Sequence, residues 1–439
     1  VKATIERVAT PVRPAATPGA LSLRSRKTLA MLPRLRHATA GYPRQFWLLF
    51  WGVLVNSSGS SMVWPFLTIY LRQRLDVPLT TIALLLTANS LAGLASTSIA
   101  GPAVDRFGRK GAMVLSLGVG CLFMLALGRV DTLAAAVALM IFKGMTDPLY
   151  RVGSDAMVAD LIPPARRADA YALLRMISNL GVAIGPSIGG FITAVSYGLA
   201  FSIAAATALI YALLVAVFMR ETIPQWPAEE RAKQARGYGP VLRDRPFVAF
   251  CIAYSFAGMA YSLMMVLLPV YMKENFGLPE SAYGLILAAN AAMVVLFQYG
   301  VTRLTQRYHH LPVLAVGSLF YALGVGSVAL GAGFTAFLVS MIILTIGELI
   351  MIPTSTALTA NLAPPDMRGR YMGVYGLTWG VAMGIGPVLG GTLNDQLAPV
   401  AIWYAGLVLG AVAMIGFLVL ARVMPRRSPV SAAAAPPPA

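Results

Sequence analysis

Apolar positions along this chain gather into runs of about 20 residues, the length a helix needs to cross a bilayer, and short polar stretches separate them. Six runs lie near Phe46 to Leu71, Val77 to Val104, Gly111 to Gly128, Thr132 to Ala159, Ala170 to Val195 and Leu199 to Met219. Six more lie near Pro246 to Met272, Ser281 to Thr302, Pro312 to Leu330, Phe334 to Leu362, Tyr371 to Leu393 and Pro399 to Ala421. The runs are too long for strands and lack a two-residue alternation, so a barrel is excluded. The pattern predicts an all-α integral membrane protein with twelve transmembrane helices.

The second six runs repeat the first six at a constant offset of 201 residues. Tyr70 falls on Tyr271, Pro78 on Pro279, Asn89 on Asn290 and Arg106 on Arg307, and IGPSIGG from Ile184 falls on IGPVLGG from Ile385. Such register predicts two pseudo-symmetric six-helix bundles in parallel orientation, residues 46–219 and 246–421, a plan used by carriers that hold cargo between two halves. The polar, Pro- and Gly-bearing stretch 220–245 reads as a solvated linker. Residues 1–45 and 422–439 read as disordered tails. The basic stretch LSLRSRKTLAMLPRLR has a second reading, a segment lying on the anionic inner leaflet, and Met31 is a candidate initiator.

Charge adds orientation. The hydrophobic fraction is 58% and the charged fraction 12%, with a formal net charge of +17. An excess of that size invites a nucleic-acid reading, which the placement of the charges removes. Of the 34 Lys and Arg residues, all but seven lie in the tails and in alternate loops. The seven are Arg72, Arg74, Arg129 and Lys273 in the opposite loops and Lys143, Arg151 and Arg175 inside the runs. Positive loops stay in the cytoplasm, so both termini are expected there. Cys121 and Cys251 fall inside runs and read as packing residues, while His37, His309 and His310 fall outside them. No nucleophile with a base and an orienting group, and no metal-ligand spacing, can be assembled; neither an enzyme nor a cofactor is expected.

Between the second and third runs stands GPAVDRFGRK, Gly101 to Lys110. Gly101 lets a neighbouring helix approach, Asp105 can pair with cations, Gly108 frees the turn, and Arg106, Arg109 and Lys110 anchor the basic side. The stretch resembles the signature loop of the major facilitator superfamily at every defined position. Its second-half counterpart, TRLTQRYHHL from Thr302, retains only Arg307. The fifth run carries NLGVAIGPSIGG, with Gly181, Gly185, Pro186, Gly189 and Gly190 placed as in the motif of the drug:proton antiporters of that superfamily; Ala172 replaces an earlier glycine. A second reading, packing glycines only, stays open because Gly386, Pro387, Gly390 and Gly391 recur in the eleventh run.

The fourth run holds Lys143, Asp147, Arg151 and Asp155, each one helical turn from the next, with alternating sign. Pro148 would clash with the carbonyl of residue 144, which is glycine, so a kink is accommodated. At the offset of 201, Asp147 meets Glu348, the lone charge of the tenth run. Two acids at matching depth are what a central proton site requires. With no basic residue within a turn, Glu348 is expected to favour its neutral form on burial, while Asp147 stays ionised between its cations. Two structural readings stand beside this one: a self-neutralised ladder in the fourth run, and a Glu348 satisfied by a basic residue of another helix, Arg151 or Arg175.

In the family resembled, helices 1, 4, 7 and 10 line the cavity. That implies Asn56, Ser60, Trp64, Tyr254, Tyr261, Met264 and Met265 as lining residues beside the charges, suited to bulky, apolar or cationic cargo. The resemblance implies a monomeric, proton-coupled exporter of a small amphiphilic molecule in the bacterial inner membrane. Its partners would be that molecule, protons and the lipid bilayer, and no nucleic acid. A proton symporter or facilitator importing a metabolite and a non-transporting receptor on the same fold are the alternatives.

Overall fold

Each apolar run forms a helix because a lipid-facing backbone has to satisfy its own amides and carbonyls. The structure, a computed structural model, describes residues 41–222, 239–364 and 367–423. The expected tails and most of the linker lie outside them. Twelve spans follow in order: α1 Arg44–Leu75, α2 Leu79–Phe107, α3 Arg109–Leu127, α4 Leu133–Leu161, α5 Pro164–Val195 and α6 Tyr197–Phe218. After a short helix, Gly239–Arg243, come α7 Arg245–Phe276, α8 Glu280–Thr305, α9 His310–Leu330, α10 Gly333–Leu362, α11 Arg368–Gln396 and α12 Ala401–Val423.

Several helices outrun the apolar segments that predicted them. α5 begins at Pro164, six residues ahead of the expected Ala170, because proline at the first helical position costs no hydrogen bond and PARRAD is otherwise helix-compatible. α1 is broken by a 3-10 turn at Trp64–Phe66, where Pro65 offers no N–H. Hydropathy gave no sign of that break, although Pro65 marks it.

Packing repeats in the two halves. α2 packs on α4 and α1 on α5 in the first; α8 on α10 and α7 on α11 in the second. Ser61 donates to the Gly181 carbonyl at 3.2 Å, and its counterpart Ser262 donates to the Ala382 carbonyl at 3.0 Å. Gly144 has a further purpose beyond relieving Pro148: the carbonyl of Asn89 on α2 occupies the place a Cβ would take.

The halves meet through α2 with α11 and α5 with α8. These contacts lie at the ends away from the basic loops. A Cβ on Gly190 would come within 2.9 Å of Gly284 Cα, and one on Gly391 within 2.9 Å of the Thr80 nitrogen. Asp395 on α11 accepts from the Leu79 and Thr80 amides at 3.2 and 2.8 Å and from the Thr80 hydroxyl at 2.7 Å. Tyr197 donates across to Glu280 at 3.0 Å, and Arg72 pairs with Glu274 at 3.0 Å. Towards the basic face the helices part: a Cβ on Gly101, Gly376 or Gly380 would meet nothing within 4 Å. A cleft therefore opens on the basic face and is sealed on the opposite one.

Candidate functional site

The acid of the second half sits beside a small cavity of that half, next to its lining residue Tyr261. Glu348 is half-buried on α10, and Asn290 of α8 donates to its Oε2 at 2.8 Å. The same amide donates to Thr345 Oγ1 at 2.9 Å, whose own hydroxyl is given to the Met341 carbonyl. Tyr261 of α7 approaches Glu348 Oε1 at 3.5 Å, the outer limit of a hydrogen bond. Among the described residues no cation forms an ion pair with Glu348, so neither Arg151 nor Arg175 neutralises it. Around it the cavity is aromatic. Tyr261 packs tilted against Tyr321 and Trp379 at centroid distances of 5.5 and 5.7 Å, and Tyr254, Gly258, Ile352, Thr378 and Ala382 line the same cavity.

The first-half acid is arranged otherwise. Lys143 and Asp147 form an ion pair. The lysine runs towards α3, its Cε 3.9 Å from where a Cβ of Gly120 would lie and its Nζ 6.0 Å from the Phe123 ring centre. Asn56 and Ser60 of α1 line the same pocket with Tyr150, which donates to Tyr211 at 3.3 Å. Of the expected ladder only this lower rung closes. Arg151 stands within electrostatic reach of Asp155 without forming an ion pair, and both are exposed. Arg175 on α5 is exposed and has no acid partner among the described residues.

The remaining expected lining residues separate. α7 turns Tyr254, Gly258, Tyr261 and Met265 to one face at steps of three and four residues, and the first three of them line the aromatic cavity. Met264 falls about 80° away from Tyr254 and is fully buried in the second-half core, so it does not line the cavity. Trp64 is 43% exposed at the 3-10 break of α1.

In the loop Gly101 to Lys110, Gly108 adopts φ 94°, a conformation that glycine tolerates. Asp105 pairs with Arg109 at 3.0 Å, and Arg109 pairs with Asp160 of α4 at 3.2 Å. Arg106 lies 5.8 Å from the Phe107 ring centre. The close neighbour expected at Gly101 is missing because α2 and α11 diverge there. Glu221, which the sequence reading passed over, accepts the amides of Arg109 and Lys110 at 3.0 and 3.1 Å. It thereby caps the positive end of α3.

The glycines of α5 divide between two tasks. Gly181, Gly185 and Gly189 let the backbone of α1 touch α5; a Cβ on Gly185 would lie 2.5 Å from the Ser58 carbonyl oxygen. Gly190, with the Pro186 carbonyl, faces Gly284 of the other half. Gly386 and Gly390 meet α7, and Gly391 meets α2, in the same division. Asn290, Thr345, Tyr321 and Trp379 were also passed over as site residues. The one available signal was Asn290, an amide in the middle of an apolar span that must find a partner.

Known proteins share this arrangement. The model of the Major Facilitator Superfamily matches residues 49–271 and again 250–439. The uncharacterized MFS-type transporter YhjO of Bacillus subtilis (strain 168) is 26% identical over 375 residues, 85% of this chain and 92% of that one. A Na(+), Li(+), K(+)/H(+) antiporter of Planococcus maritimus is 27% identical over 359 residues, 74% of this chain and 84% of that one. The multidrug resistance protein MdtH of Escherichia coli O1:K1 / APEC is 26% identical over 297 residues, covering 67% and 73%. Among solved structures, a POT family transporter in complex with 5-aminolevulinic acid superposes with a TM-score of 0.74 over 88% of this chain and 96% of that one, at 17% identity. With twelve helices in two matching bundles and the family model covering both, the chain belongs to the Major Facilitator Superfamily and is a multi-pass membrane transporter.

Proposed function

We propose that this transporter exports a small amphiphilic molecule in exchange for protons, by alternating access across the bacterial inner membrane. The basic face is then cytoplasmic, with both termini, and the cleft described above is the inward-open state. The observation that carries the reading is Glu348: an acid beside a tyrosine-lined cavity, held by neutral donors and unpaired with any described cation. A charged carboxylate strongly disfavours the occluded passage between facing states, and a proton or a cationic group of the cargo removes that charge. Proton and cargo therefore compete for one acid, and each shifts the equilibrium between facing states by its differential affinity for them. An exchanging relative, the Na(+), Li(+), K(+)/H(+) antiporter, and the multidrug resistance relative support exchange and export.

The test is proton flux in proteoliposomes carrying a pH gradient, with amphiphilic dyes as cargo. Wild type couples dye movement to proton movement. Glu348→Gln is expected to lose the coupling while still inserting and folding; gradient-driven accumulation by Glu348→Gln at the wild-type level would sink the proposal.

A further inference from the structure

The proposed cycle uses one acid, and it leaves two arginines without employment. Arg175 lies eleven residues before Pro186 on α5. Eleven residues are about three turns, so Arg175 shares the face on which the Pro186 carbonyl approaches Gly284 of the second half. Since the halves part towards the basic face, that side chain stands on the cleft wall, exposed. Arg151 stands one turn beyond Asp147 on α4, also exposed, and its counterpart at the offset of 201 is Ile352, which lines the aromatic cavity. The charges on the first-half wall are then Lys143 paired with Asp147, Arg151 near Asp155, and Arg175 alone. In the second half Glu348 lies 3.5 Å from the hydroxyl of Tyr261, which lines the aromatic cavity. With Lys143 and Arg151 each beside an acid, the first half contributes one cation in excess, Arg175, and the second half one acid, Glu348.

Depth can be read from the same contact. Asn290, which holds Glu348, lies six residues along α8 from Gly284, or ~9 Å, while Arg175 lies ~16 Å along α5 from Pro186. The cationic pole is therefore ~7 Å nearer the open mouth than the anionic one. A plain organic cation would satisfy Glu348 and meet Arg175 as a like charge. A plain anion would satisfy the arginines and meet Glu348. Only a molecule with both charges, spaced by a flat apolar body that can lie against Tyr254, Tyr261, Tyr321 and Trp379, matches both walls.

Resting on the exchange reading above, we infer that the cargo is a zwitterionic aromatic amphiphile, its ammonium or iminium end at Glu348 and its carboxylate at Arg175 with Arg151. Rhodamine B and its ethyl ester provide the probe, because they share a chromophore and differ in the carboxylate. Binding to purified protein in nanodiscs is read by fluorescence anisotropy. Wild type is expected to bind rhodamine B at least about tenfold more tightly than the ester, the worth of one charge-assisted hydrogen bond. Arg175→Gln should bring that ratio close to one, by weakening rhodamine B and by relieving the cationic ester of a like charge, and Arg175→Lys should keep most of the preference, which a folding defect would not.

Equal affinity of the two dyes for wild type, preference for the ester, no binding of rhodamine B, or an unchanged ratio in Arg175→Gln overturns the inference. Selective binding of rhodamine B without gradient-driven flux overturns the exchange reading and leaves the zwitterion assignment standing. Gradient-driven flux with equal binding does the reverse.

Discussion

Asp147 and Glu348 occupy the same position in two repeated halves, and their surroundings have diverged. In the first half Ser60 and Gly120 leave a gap, and the stem of Lys143 fills it on the way to its pair with Asp147. In the second half the positions matching Ser60 and Gly120 are Tyr261 and Tyr321, whose rings close the gap, and Lys143 is matched by Leu344, fully buried. The asparagines differ likewise. Asn89 donates to the Met140 backbone carbonyl at 2.8 Å and ties α2 to α4, whereas Asn290 donates to Glu348. Repetition places an acid, and its neighbours decide whether it meets a cation or only neutral donors.

Exchanging the two acids' fates is the strongest way to break this contrast. Glu348→Gln should abolish proton-coupled flux with little change in melting temperature, because the glutamine amide can still accept from Asn290. Asp147→Asn should do the opposite: it strands Lys143, 16% exposed, without its counter-ion. Removing one member of a buried pair costs roughly 3–5 kcal/mol, and the partial exposure of Asp147 reduces this to about 2 kcal/mol. Flux should survive in part. If Asp147→Asn silences coupling and Glu348→Gln does not, the roles assigned to the halves are reversed.

A double-mutant cycle sharpens the first-half side. Lys143→Met alone leaves Asp147 unpaired, but Asp147 is half exposed and can be solvated from the cleft, so the loss should be about 1 kcal/mol. Combining Lys143→Met with Asp147→Asn should recover most of the loss seen in Asp147→Asn, since no buried charge remains. Thermal unfolding in detergent, compared across the four proteins, reads the coupling directly. Additive losses would mean that the pair adds nothing to stability beyond its two members.

How far the sequence alone reached follows from where its signals come from. Helix number and repeat were legible because the bilayer imposes its length on every span. Glu348 was legible because a lone charge in lipid stands out. Its partners were not: Tyr321 and Trp379 look like any aromatic residue of a membrane helix, and only the approach of α9 and α11 brings them to Tyr261. The glycines of α5 showed that close contact was needed, yet not that Gly190 serves the other half. Asp160 and Glu221 were missed because each is a polar residue at a helix end, where polar residues are ordinary, and only folding brings both to Arg109. Met264 was misplaced because one turn of α7 offers several faces and hydropathy does not choose among them.

The asparagines offer a smaller test of the same contrast. Asn89→Ala should lower stability by about 0.6 kcal/mol, the average for an interhelical hydrogen bond in a membrane protein, with flux intact. Asn290→Ala should cost a similar amount of stability and also change flux several-fold, since Glu348 loses its closest donor. Equal flux effects at both positions would mean that Asn290 merely ties helices together, as Asn89 does.

The smallest expected effect concerns two of the polar contacts that seal the halves together. Glu280 is 4% exposed, and across the interface it accepts from Tyr197 alone, its other donor being Lys273 of its own half at 2.9 Å. Asp395 is exposed and takes three donors from the start of α2, two of them backbone amides. Tyr197→Phe removes the whole cross-interface bond to Glu280, while Thr80→Val removes one of the three cross-interface bonds to Asp395 and retains the amides. A hydrogen bond contributes about 0.5–1.5 kcal/mol net, so each variant should move the open-to-closed equilibrium a few-fold, Tyr197→Phe the further. Spin labels at Ile99→Cys and Leu377→Cys, both exposed on the basic side of α2 and α11, report the balance as the share of short distances. Loosening either seal should raise that share, because a cleft released on one face closes on the other. A larger shift from Thr80→Val than from Tyr197→Phe would place the stronger seal at Asp395 and make its hydroxyl donor worth more than its two amides.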